Sequence, residues 1–115
     1  MSRRSLHMLP AAAWAERDPT SAYAPPTLAA EGFIHCTDGD DGMVATANRF
    51  YRDDPRPFVV LTLDLETTGS PWRFDDPDRR FPHVYGTIDP RAVLGVRRLV
   101  RDPDGLFTGI AGLED

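Results

Sequence analysis

Lysine is absent from this 115-residue chain, cysteine occurs once, and no apolar run is long enough to cross a bilayer as a helix. Each shortage narrows the field. The lone Cys36 excludes an internal disulfide. No amino-terminal stretch joins basic charge to a long apolar segment, so the expectation is a cytoplasmic protein without a membrane anchor. Positive charge is also scarce: 18 acidic residues against 13 basic ones leave a net charge of -5, which argues against binding duplex nucleic acid through its backbone. All the basic residues are arginines, and each guanidinium can fork onto a phosphate. The length suits one domain, residues 1–115, with no internal repeat, low-complexity tract or linker to divide it.

What the chain does have is three histidines in short, unusual strings: Ser-Leu-His7-Met-Leu, Glu-Gly-Phe-Ile-His35-Cys-Thr and Phe-Pro-His83-Val-Tyr-Gly. Apolar residues flank each one in alternation. On a strand, His7 then opposes Leu6 and Met8, His35 opposes Ile34 and Cys36, and His83 opposes Val84, so all three imidazoles are candidates for one polar face. Imidazole titrates near neutrality and serves as proton carrier, hydrogen-bond donor or metal ligand. Three separate histidines with local partners would produce the same pattern.

Around these strings the chain reads as a mixed fold. Ser5 to Leu9 is a strand, and Pro10 opens a helix through Glu16 that Asp18-Pro19 stops. Thr27 is placed to cap a short helix that Gly32 ends, and Phe33 to Thr37 is the second strand. Asp38 or Asp40 is positioned to cap a helix whose stripe is Met43, Val44, Ala47, Phe50 and Tyr51. Phe58 to Leu65 alternates as a central strand, Trp72 to Phe74 is a brief one, and Asp75 to Arg80 is an exposed loop. His83 to Ile88 and Val93 to Arg101 are the last strands, with Pro82 confining its segment to an edge or a bend. Early helices followed by closely spaced strands give an α+β class: a small single domain with an antiparallel-rich sheet and two main helices. Trp14 and Phe50 are expected in the core, and Cys36 reads as an inert buried thiol.

Together, the amino-terminal histidine strand with its Pro-Ala-Ala-Trp helix, Leu-Ala-Ala-Glu-Gly-Phe-Ile-His-Cys-Thr, Ala-Asn-Arg-Phe-Tyr and Phe-Pro-His-Val-Tyr-Gly resemble the bacterial family known as domain of unknown function 952. The resemblance runs from about Leu6 to Phe107. It implies a fold similar to that of the ADP-ribosyltransferases, including their RNA 2'-phosphotransferase branch, and a cleft for NAD or another ribose-phosphate ligand. Cleaving nicotinamide from ribose creates an oxocarbenium-like centre, which calls for ribose-orienting donors, a stacking surface, phosphate partners and a nearby carboxylate. By resemblance His7 orients a ribose hydroxyl and His35 faces the same cleft, bonding phosphate or moving a proton. His83 and Tyr85 shape the opposite wall, Tyr85 or Trp72 stacks, and Arg49 and Arg73 are diphosphate partners.

The carboxylate is where the chain departs from active transferases. Glu31 closes a helical turn, Glu66 lies in a Thr-Thr-Gly loop, and Asp75, near Trp72 and Arg73, is the first choice. A phosphotransferase-type site built on His35, Arg49 and Arg73 needs no such group. A catalytically silent module for a nucleotide or phosphorylated metabolite competes with both. The remaining alternative is a three-histidine metal site, which the spacing opposes: no ligand pair falls at a three- or four-residue helical interval and there is no second cysteine. No cofactor is fixed by the sequence, and NAD enters only as a substrate.

Overall fold

The computed structural model describes residues 3–112. Strand β1 (Arg4–Pro10) leads directly into helix α1 (Ala11–Glu16), with Pro10 as its N-cap. Helix α2 (Pro26–Glu31) ends at Gly32 in the left-handed conformation (φ 84°), the backbone state glycine adopts without a Cβ penalty. There follow β2 (Ile34–His35), α3 (Asp40–Tyr51), β3 (Phe58–Asp64), β4 (Trp72–Phe74), β5 (Pro82–Val84), a 3-10 turn at Pro90–Ala92, β6 (Val93–Arg101) and β7 (Phe107–Gly112).

The strands form two antiparallel sheets. The larger has the order β1-β3-β6-β7 and the smaller the order β2-β5-β4. Alternation along β3 explains how they share a core. Val59, Leu61 and Leu63 point to the cluster that also holds Ile34, Cys36, Val84 and Ile88, with Trp14, Leu28 and Trp72 packed against it. Phe58 and Val60 point the other way, to Leu6, Met43, Ala47, Leu99 and Phe107. The large sheet is therefore covered by α3 on one face and by the small sheet and α1 on the other. Its strand β3 is buried at every position but Thr62, as such double coverage requires. A single bridge, Leu6 to Thr37, joins the edge strand β1 to the chain just beyond β2. The small α+β domain with antiparallel sheets and few helices matches the class read from the sequence.

Several local expectations are corrected. The N-cap of α3 is Gly39 and no side chain caps it; Asp38 instead accepts a hydrogen bond from Ser5 Oγ (2.7 Å) and pairs with Arg3, while Asp40 binds Arg97. Pro25, not Thr27, precedes α2. Phe50 is 66% exposed, because Tyr51 takes the inward place in the last turn of α3, against Phe58 at 5.3 Å between ring centroids. Pro82 lies in the middle strand of the small sheet, tolerated as its first residue, and its carbonyl accepts from Cys36 N–H (3.0 Å). Strand β7 is an addition to the elements expected from the sequence.

Candidate functional site

The small sheet has two unlike faces, and sequence alternation makes them so. Across β2, β5 and β4 one row of register partners is Ile34, Val84 and Trp72, and the next is His35, His83 and Arg73. Ile34 and Val84 are fully buried, so the first row faces the core and the second faces outward. Trp72 thus lies on the opposite face from the histidines, where it packs on the core and Arg3 stands over its ring at 5.8 Å. A stacking role for Trp72 beside the imidazoles does not fit this placement.

On the outward face each of two imidazoles is held by a carboxylate. His83 Nδ1 lies 2.8 Å from Asp75 Oδ2, and His35 Nε2 lies 2.6 Å from Glu31 Oε2. An ionised carboxylate can only accept, so these nitrogens are the protonated ones in the neutral rings. His83 Nε2 and His35 Nδ1 are then the basic positions, and neither has a partner among the described residues. The two rings meet edge to face with centroids 5.2 Å apart. Phe33 braces both, stacked on His83 at 4.1 Å and edge-on to His35 at 4.8 Å.

Asp75 is the hub. Its Oδ2 also accepts from the Tyr85 hydroxyl, and its Oδ1 accepts from Arg73 Nε at 2.8 Å. Those hydrogen bonds, from Tyr85 first, then His83 and Arg73, depress the carboxyl pKa to about 2. In return the bond to Asp75 raises the Tyr85 hydroxyl above its ordinary range. The Arg73 guanidinium lies over the Tyr85 ring at 4.5 Å and donates from Nε to Asp75; interaction with the Tyr85 hydroxyl and with Asp75 raises its pKa above the ordinary value. Gly86 (φ 156°) secures the turn after Tyr85: a Cβ there would collide with the side chain of Ser70, whose hydroxyl donates to the Thr87 carbonyl at 2.6 Å.

His7 does not join this face. It is a register partner of Leu61 and lies buried between the sheets. Its Nδ1 reaches the main-chain carbonyl of His35 at 2.7 Å and its Nε2 meets the Tyr23 hydroxyl at 3.2 Å, so both nitrogens are engaged. Burial lowers its pKa to about 4, outweighing the opposite pull of the His35 carbonyl. The ring is therefore neutral at pH 7, with Nδ1 donating and Nε2 accepting. A ribose hydroxyl cannot reach it without displacing one of these partners. The three-histidine metal site fails for the same reason, and no group of three or more His, Cys, Asp or Glu among the described residues is arranged to hold a metal ion.

Arg49 is also elsewhere. It belongs to α3, which packs on the large sheet, and it lies over Phe50 at 5.2 Å in a shallow concavity lined by Asn48, Arg52, Asp53 and Asp104. Cys36 is buried, and its thiol is pushed up to about 12 by desolvation, as an inert core cysteine should be. Two further residues belong to the site: Phe33, to which the sequence reading assigns no role, and Glu31, which ranks behind Asp75 there as the candidate carboxylate. Phe33 shares a face with His35 by simple two-residue alternation, a signal present in the Phe-Ile-His string. Glu31, which closes its helical turn as expected, also reaches the site, because the reversal at Gly32 brings its carboxylate back to His35.

The fold and the site define a small α+β domain of two antiparallel sheets, the smaller presenting a paired-imidazole cluster to solvent. The chain belongs to the family described as protein of unknown function DUF952, which matches residues 8–96. It is similar to the protein CC0527 of Caulobacter crescentus: the crystal structure of that protein has 25% sequence identity and a TM-score of 0.73, covering 92% of this chain and 94% of that one. The crystal structure of a double mutant of CC0527 gives the same values, and the solution NMR structure gives a TM-score of 0.66 with 90% of each chain covered. No curated protein matches the chain. No helix among the described residues is long and apolar enough to cross a membrane.

Proposed function

We propose that this domain binds a small ribose-phosphate ligand, NAD or another nucleotide, on the outward face of the small sheet and moves protons at it. The observation that carries this reading is the row His35, His83 and Arg73, in which each imidazole keeps one free nitrogen and the exposed guanidinium stands beside them. Arg73 grips phosphate, the imidazoles bond ribose hydroxyls or phosphate oxygens, and Phe33 and Tyr85 supply aromatic surface. The ADP-ribosyltransferase-like arrangement is part of this proposal: two antiparallel sheets packed over one core suit it, while the first-strand histidine is buried and takes no part in the outward face. Between the two transfer chemistries the phosphate-linked one is favoured, because Asp75 has both oxygens engaged and is not free to face an oxocarbenium centre. A buried, unpaired thiol suits the reducing cytoplasm, where we place the protein.

A non-catalytic binding module is the second reading, and one observation favours it: the cluster lies on an open face, and neither the concavity beside Asp40 and Arg80 nor the one beside Arg49 and Asp104 includes its residues. Titration of NAD, ADP-ribose and 2'-phosphorylated RNA against the protein tests the ligand. Saturable binding is expected for at least one, weakened roughly 10- to 100-fold by Arg73→Ala, the loss of one or two charge-assisted bonds. Absence of any thermal shift or heat with all three would sink the ribose-phosphate reading, and turnover of a bound nucleotide would decide between enzyme and module.

A further inference from the structure

The outward cluster carries no serine, threonine or cysteine: its members are two imidazoles, two carboxylates, a guanidinium, a phenol and a phenyl ring, and Cys36 points into the core. Both carboxylates and the phenol are engaged in hydrogen bonds within the cluster, an arrangement suited to moving protons and holding an anion while the attacking oxygen comes with the substrate. A ribonucleotide phosphodiester brings its own, the 2'-hydroxyl next to the phosphorus. We infer that the paired imidazoles cleave a short ribonucleotide phosphodiester by acid–base transphosphorylation, an inference that rests on the ribose-phosphate reading above. The ring centroids lie 5.2 Å apart, a spacing of the same order as the span of one phosphodiester group.

The roles follow from the carboxylate anchors. His83, part-buried and fixed through Nδ1 by Asp75, uses Nε2 to take the proton from the 2'-hydroxyl. The 2'-oxygen attacks phosphorus and the bond from phosphorus to the 5'-oxygen breaks. His35, more exposed and anchored through Nε2 by Glu31, enters the reaction protonated and donates the Nδ1 proton to the departing 5'-oxygen. The products are a 2',3'-cyclic phosphate and a 5'-hydroxyl, with one proton taken up and one released. Arg73 binds the non-bridging phosphate oxygens. Size selection comes from charge: one guanidinium matches one phosphodiester anion, whereas a net charge of -5 repels a long polyanion. The ionisable groups that face the imidazoles are Glu31 at the end of α2, Arg73 of β4, Asp75 and Asp76 beyond it, Tyr85 after β5, and the buried His7 of β1.

The test uses the dinucleoside monophosphate ApU, with its deoxy counterpart as comparison and 2',3'-cyclic AMP as product standard, on the full chain between pH 5 and 8. Release of 2',3'-cyclic AMP and uridine from ApU is expected, with a bell-shaped pH profile, because one imidazole must be neutral and the other protonated. His35→Ala and His83→Ala, each shown to be folded by circular dichroism, should lose roughly 10²- to 10⁴-fold in kcat. The deoxy dinucleotide should be inert. Stable ApU at every pH in the presence of confirmed nucleotide binding would overturn the inference and leave the ligand reading standing. Failure of both binding and cleavage would remove both. Cleavage undiminished in the two variants, or cleavage of the deoxy compound, would also overturn it, since the imidazole pair would not be the cause.

Discussion

The two sheets divide the work of the molecule. The large sheet is covered on both faces, and its central strand buries apolar side chains alternately against α3 and against the small sheet. The small sheet is covered on one face only. Its outward row carries the imidazole pair on strands of two and three residues. Chemistry-bearing groups can stand on that surface because the larger sheet supplies the stability they do not. A residue of the first kind should thus matter for folding and one of the second kind for binding and reaction.

The largest effect that would sharpen this contrast is Leu61→Ala against His35→Ala. Leu61 is fully buried, and its truncation should cost about 2 to 5 kcal/mol in denaturant unfolding. His35→Ala on the open face should stay within about 0.5 kcal/mol of the parent. Comparable losses at both positions would break the division.

His7 sits between the two regions and gives the next effect. Its folded pKa of about 4 lies below the ordinary histidine value, so the unfolded chain binds a proton first as pH falls. The stability this neutral ring provides is complete above about pH 6.5 and lost progressively down to about pH 4, a span worth roughly 3 kcal/mol. His7→Gln should flatten the stability profile across that window, measured by urea unfolding at several pH values. An unchanged slope would mean that His7 is not the group responsible.

The smallest effect is confined to the exposed face. Asp75→Ala should leave the unfolding midpoint nearly unchanged while Tyr85 titrates at lower pH, because the hydrogen bond that raises its hydroxyl is gone. Ultraviolet difference titration against Tyr85→Phe reads that one phenol. A Tyr85 titration that does not move would show that Asp75 is not its partner in solution.

Much of this division is legible in the sequence, and the failures have physical causes. Strict alternation exposes β1 and β3, and the His-flanking residues correctly sort Ile34 and Val84 from His35 and His83. Alternation cannot distinguish a residue facing solvent from one facing a second sheet, and His7 falls on that ambiguity: its face is opposite Leu6 but is buried under β2. Arg49 and Trp72 have the right chemistry but depend on tertiary placement, which puts one on α3 and the other on the inner face. Phe107 to Gly112 escapes a sequence reading because Gly109, Ala111 and Gly112 interrupt its Phe, Thr and Ile, and glycine is depleted in strands. Glu31 is hidden by a chain reversal that the left-handed Gly32 makes possible.

The shortness of β2 has one more consequence. His35 rides on two residues paired to β5, whereas β3 is paired along its length to β1. The hold on His35 therefore rests on backbone bonds that continue past those two residues: Cys36 N–H donates to the Pro82 carbonyl, Thr37 exchanges hydrogen bonds with Leu6, and Asp38 N–H donates to the Arg80 carbonyl. The His35 backbone is thereby held to both sheets, so a guest molecule on the open face meets an imidazole pair whose spacing is set by the strands beneath it.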